Sequence, residues 1–107
     1  YIIFGNPQKA DYLAFLVTKR VVEAEKLLED GKVDLARETI IDASSLLDTI
    51  DKSVSDNSSF PSQTLLDFNL KMGKLETFLP WLSMNYKSAE TELQDLFEKV
   101  KSLNTRI

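Results

Sequence analysis

The chain has 107 residues, 43% hydrophobic and 28% charged, with a net charge of −4, no cysteine and no histidine. A single domain of this length buries a real core without staples. The missing residue types exclude disulfides, thiol chemistry, the usual zinc and haem sites and histidine-based acid–base catalysis, and the scattered basic residues argue against nucleic acid as a partner.

Three Gly and three Pro suit a few long helices joined by short loops, and argue against a many-turned β-sandwich. Residues Tyr1 to Asn6 read as an extended lead-in. Asn6-Pro7 is a helix start: Asn accepts from an orphan N–H, and Pro fits the first helical position, where no donor is missed. The spacing of Ala10, Leu13, Val17, Val21, Ala24 and Leu28 predicts one amphipathic helix over about residues 7–30. Gly31 ends it, because glycine enters the left-handed region without a Cβ penalty.

A tight turn at Asp30-Gly31-Lys32 leads into a second helix over about residues 33–54, with Asp34 as its cap. Its stripe is Val33, Ala36, Ile40, Ala43, Leu47, Ile50 and Val54. So short a connection predicts an antiparallel hairpin, and Ala36, Ala43 and Ser44 permit close approach. Residues 55–62 form the clear loop, rich in small polar residues, with Phe60 expected to turn inward and Pro61 near the next helix start.

Leu65, Phe68, Met72, Leu75, Leu79, Leu82, Tyr86, Ala89, Leu93, Leu96, Val100, Leu103 and Ile107 then hold a seven-residue repeat without a phase slip. Pro80 sits inside that run; it removes a backbone donor and crowds the preceding turn. The unbroken phase favours one long third helix over about residues 63–105, kinked or interrupted near Pro80. Matched lengths favour a break near Pro80 to Asn85 and a fourth helix, since a straight helix would overhang the hairpin by about 30 Å. The expected fold is therefore an all-α antiparallel bundle of three long helices, the last kinked or broken at Pro80, with four helices as the alternative. No internal repeat stands out.

The longest apolar run, Tyr12 to Val17, is far short of the roughly 20 residues that span a bilayer. A chain that begins at Tyr1 is expected to be a processed or excised piece, with any export signal or membrane anchor upstream. Glycine-rich phosphate loops, Gly-x-Ser-x-Gly elbows and Ser-x-x-Lys motifs do not occur. The carboxylates Glu23, Glu25, Glu29 and Asp30, and Glu90, Glu92, Asp95 and Glu98, fall between stripe positions. They read as solvated faces with i to i+4 pairs such as Asp95–Lys99 and Asp67–Lys71. No catalytic, cofactor or metal site is expected. Phe68, Phe78, Trp81 and Tyr86 gather around Pro80; aromatics at this spacing read mainly as core, with Trp81 beside the stripe and, if exposed, a contact hot spot. Asn57-Ser58-Ser59 matches a glycosylation sequon.

The stretch Gly5-Asn6-Pro7-Gln8-Lys9-Ala10-Asp11, followed by Lys19-Arg20-Val21-Val22-Glu23-Ala24-Glu25 and the turn at Gly31, resembles a known pattern. It is similar to a helical domain of unknown function found in predicted secreted or membrane-anchored bacterial proteins. Asp34-Leu35-Ala36 matches that family's Ala-bearing second helix, and Leu65 to Leu82 matches its later leucine-rich, proline-interrupted helix more loosely. Gln8 stands where the family prefers an acid. The resemblance implies an extracytoplasmic placement with an upstream tether and no assigned activity. The Ala–Gly–Ala rhythm is also shared by tetratricopeptide-like hairpins, whose aromatic signature is missing here.

The resulting expectation is a non-enzymatic extracytoplasmic helical module for protein–protein contact or spacing. Its contact surface is expected at Trp81, Leu93, Leu96, Val100 and Leu103, open to a protein partner or to self-association. The alternative is a ligand-binding bundle with a cavity lined by Phe68, Phe78 and Trp81.

Overall fold

The computed structural model describes the backbone of residues 7–56 and 62–106 and the side chains of residues 11–52 and 66–104. The described residues form four α-helices, α1 (Pro7–Glu29), α2 (Val33–Asp56), α3 (Ser62–Asn85) and α4 (Glu90–Arg106), with a single 3-10 turn at Lys87–Ala89 between the last two. The lead-in Tyr1 to Asn6, the plug Phe60, the sequon at Asn57 and the C-terminal Ile107 lie outside the described residues. The same holds for the side chains of Ala10, Val54 and Leu65.

The α1–α2 turn is a Schellman motif. Gly31 takes φ 79°, its N–H donates to the Leu28 carbonyl at 3.1 Å, and the Lys32 N–H donates to the Leu27 carbonyl at 2.8 Å. Two orphan carbonyls of α1 are thereby satisfied. Helix α2 starts at Val33, as the sequence suggests, but its cap is not Asp34. The Ala36 N–H donates to the Lys32 carbonyl, so Lys32 is the cap, and Asp34 lies in the first turn, where its charge complements the helix dipole.

The long third helix expected from the phase is replaced by two helices. α3 runs through Pro80 without ending and stops at Asn85, five residues later. Asn85 Nδ2 donates to the Trp81 carbonyl at 2.8 Å, and the Tyr86 N–H donates to the open Leu82 carbonyl at 2.8 Å. Tyr86 leaves the helical region, with φ −133° and ψ 78°. The chain then turns through the 3-10 segment, whose Ala89 is fully buried, into α4. The heptad phase survives this turn because the stripes of α3 and α4 face the same core from opposite directions.

Helix α1 packs on α2 and on α3, and α4 packs on α3 and on α2; among the described residues no Cα of α1 lies within 8 Å of one of α4, nor any of α2 within 8 Å of one of α3. The cross-links between α2 and α4 set their direction. Arg37 meets Glu92, Ser44 meets Asp95 and Asp48 meets Lys99, so residue numbers rise together and these two helices are parallel. Two antiparallel hairpins therefore lie side by side, with α1 and α3 in one layer and α2 and α4 in the other. Helix pairs stack in this way in α-solenoids.

Every described member of the predicted stripes from Leu13 to Leu103 is buried, apart from the partly covered Val33 and Tyr86. Ala14, Ala24, Ala36 and Ala43 are fully buried, and such small side chains let the first two axes approach closely. Fully burying one Leu or Val side chain is worth about 1.5–3 kcal/mol. A straight 40-residue helix would forfeit that at Leu93, Leu96, Val100 and Leu103, which is the physical reason the chain turns back.

Candidate functional site

Helix α3 carries two apolar faces. One comprises Phe68, Met72, Leu75, Leu79 and Leu82 and fills the core. The other comprises Leu66, Leu70, Trp81 and Met84, which expose 55%, 57%, 48% and 73% of their surface. Gly73 and Thr77 continue this second face between Leu70 and Trp81, at steps of three and four residues. A helix apolar on both sides is ordinarily covered on both sides. Here the outer side meets solvent.

Trp81 stacks on Phe78, one turn before it, with ring centroids 5.7 Å apart and planes 15° apart. An open groove of about 690 Å³ runs along this face, lined by Asn69, Leu70, Gly73, Lys74, Thr77, Phe78 and Trp81. Its floor is low because Gly73 has no side chain. Asn69 Oδ1 is buried and has no hydrogen-bond partner among the described residues, and an unsatisfied acceptor of this kind costs free energy.

The five residues expected to form a contact surface separate. Trp81 is half exposed, whereas Leu93, Leu96 and Val100 are 0% exposed and Leu103 2%. The α4 stripe is covered by the chain's own α2 and α3, so it offers no surface to a partner. This corrects the expectation of an unsatisfied seam in the last segment. Among the aromatics, Phe68 is fully buried, and Phe78 and Tyr86 pack against the core from its edge. The three-aromatic cavity expected for a ligand-binding bundle does not form, because Phe68 faces the core while Trp81 faces outward. Leu66, Leu70 and Met84 were missed in reading the sequence; their signal is a second helical spacing offset from the heptad.

Three of the four carboxylates of α4, Glu90, Glu92 and Asp95, are engaged in ion pairs. Glu92 accepts from Arg37 Nε at 3.0 Å and Nη2 at 2.9 Å, and the Arg37 guanidinium holds its carboxyl below the usual glutamate range. Lys99 bridges Asp48 at 3.2 Å and Asp95 at 3.9 Å. Ser44 Oγ donates to Asp95, and Gln94 Nε2 donates to the buried Ser83 hydroxyl. On the other layer, Lys71 reaches Asp11 of α1 at 2.8 Å. No group of three or more potential metal ligands occurs among the described residues. No helix among them is long and apolar enough to cross a membrane.

Comparison with known proteins gives no match: no family model, no curated protein and no solved structure is similar to this chain.

Proposed function

We propose that the chain is a non-enzymatic helical module for protein–protein contact, with the outer face of α3 around Trp81 as its contact surface. The observation that carries this reading is the second apolar face of α3. Leu66, Leu70, Trp81 and Met84 are exposed although the opposite face of the same helix already fills the core. Exposed patches of this kind, rimmed by polar residues, mark contact sites, and tryptophan is the residue most enriched among binding hot spots.

The resemblance of the first 40 residues to a secreted or membrane-anchored bacterial domain extends the proposal to a placement outside the cytoplasmic membrane. Protease digestion of intact cells tests that part: cleavage without lysis is expected, and full protection sinks it. A small-molecule reading has weaker support. The groove volume lies within the usual ligand range, but one helix lines it and it is open along its length.

A photo-crosslinking side chain at Thr77, on the groove, compared with one at Thr91, on α4, tests the contact reading in the cell of origin. Adducts from position 77 and none from position 91 are expected. Equal yields, or none from either, overturn the proposal.

A further inference from the structure

We infer that the α1–α3 side of the bundle is the interface of a symmetric dimer, centred near Gly73 and occupied by a second copy of this chain; this rests on the reading of the α3 face as a contact surface. The first support is the distribution of uncovered apolar groups. Nine large hydrophobic side chains are exposed among the described residues: seven lie on α1 and α3, two on α2 and none on α4. One layer of the bundle is thus apolar beyond what its own core requires, and the other is closed by ion pairs. Tyr12, Phe15 and Val22 are the exposed large apolar side chains of α1, which lies beside α3 in parallel.

The area decides how many helices must take part. From Leu66 to Met84 the stripe rises about 27 Å at 1.5 Å per residue. One helix about 10 Å wide gives a footprint of roughly 270 Å², well below the roughly 800 Å² of accessible surface that each partner buries in a standard stable interface. On α1, Tyr12 to Val22 adds about 15 Å of rise and roughly 150 Å², for a joint footprint of roughly 420 Å². The accessible area of such a corrugated face exceeds its footprint, which places the α1–α3 platform near the low end of specific interfaces, about 600 Å² per partner.

The pattern on α3 is self-complementary. About a midpoint at residue 75, Leu66 mirrors Met84, Gly73 mirrors Thr77, and Leu70 falls within one residue of mirroring Trp81. An antiparallel α3–α3 pairing sets large side chains against large ones at both ends and small against small in the middle. This is the isologous contact that a two-fold axis demands. Small residues at the crossing let the two axes approach. Gly73 also has no explanation within the single chain: a Cβ built there meets nothing within 4 Å, while glycine inside a helix is less stable than alanine. Close approach of a second backbone supplies the missing reason. Lys74 at the rim keeps its ammonium in water while its stem adds apolar cover.

Trp81 is the sole tryptophan, so its emission reports on this face and on no other. The experiment is light scattering together with Trp81 emission over a roughly thousandfold range of protein concentration, on the wild type, Gly73→Leu and Ile41→Gln. Expected is a rise toward twice the monomer mass, with a blue shift of Trp81 at the same midpoint. Association is expected to weaken at least about tenfold in Gly73→Leu and to stay unchanged in Ile41→Gln, which alters the α2 side. Circular dichroism at low concentration checks that Gly73→Leu remains folded; Thr77→Leu repeats the test if it does not. A monomer at every concentration overturns the inference, as does a dimer whose Trp81 emission stays fixed. A monomer that still crosslinks from position 77 to another protein overturns the dimer and leaves the contact reading standing. A monomer with no crosslink overturns both.

Discussion

Replacing Leu93 by alanine separates a chain that turns back at Tyr86 from one that runs on as a single long helix. In the bundle Leu93 is 0% exposed, in contrast to Leu70 at 57%. Truncating a fully buried leucine removes the transfer free energy of the lost atoms and leaves a cavity, together about 2–5 kcal/mol. Truncating an exposed leucine stays within about 0.5 kcal/mol. A domain near 100 residues holds about 5–15 kcal/mol in total, and each kcal/mol moves its midpoint by about 4 °C or more. Leu93→Ala is therefore expected to lower the thermal midpoint by about 8 °C or more, and Leu70→Ala by about 4 °C or less. The assay is far-UV circular dichroism during heating, at a concentration low enough to keep the chain monomeric, with Leu96→Ala as a repeat of the buried case. Equal, small shifts for Leu93→Ala and Leu70→Ala would show that the α4 stripe is not covered by its own chain, and the four-helix packing would be refuted.

The two described glycines are expected to respond with opposite signs. At Gly31, φ is 79° and nothing lies within 4 Å of an added Cβ, so Gly31→Ala isolates backbone strain and should cost about 1–2 kcal/mol. Gly73→Ala, inside α3 with open space around it, should stabilise the monomer by about 0.5–1 kcal/mol. Denaturant titration of both variants at low concentration checks this, and shifts of the same sign refute it. The Arg37–Glu92 pair predicts a pH dependence. Hydrogen bonding from Arg37 holds the Glu92 carboxyl below its ordinary value of 4.5, so the unfolded chain takes up the proton first. The pair's contribution is complete above about pH 4.5 and is lost as pH falls through the lower folded value. Arg37 is about half exposed, which limits the effect to about 0.5–1 kcal/mol. Comparing wild type with Glu92→Gln from pH 7 to pH 2 should give a difference that vanishes in acid, whereas a difference independent of pH contradicts the assignment.

Most of the core was legible from residue spacing. Leu13, Val17, Val21, Ala24 and Leu28 lie where a 3.6-residue period puts them, and so do Ala36, Ile40, Ala43, Leu47 and Ile50. The Gly31 turn was legible because few residues other than glycine accept a positive φ. The end of α3 was bracketed between Pro80 and Asn85 as the alternative to one long helix, and its exact position, Asn85, was not marked. Pro80 drew attention as the breaker, yet α3 continues through it. Asn85 and Tyr86, which end the helix, carry no strong signal in the sequence; Asn85 only ranks low among helix formers.

Composition and spacing by themselves determined the all-helical class, the first hairpin and the inward azimuth of the stripe residues. Periodicity records the angle of a side chain about its helix axis and nothing about the direction in which the chain travels. The same phase therefore described one long helix and a folded-back pair equally well, and only burial chose between them, by covering Leu93, Leu96, Val100 and Leu103 with α2 and α3. Tertiary structure alone also decided which apolar residues are surplus. Once the core is filled from Phe68 to Leu82, Leu66, Leu70, Trp81 and Met84 remain on the opposite side of α3, because a helix has two faces and this core has room for one.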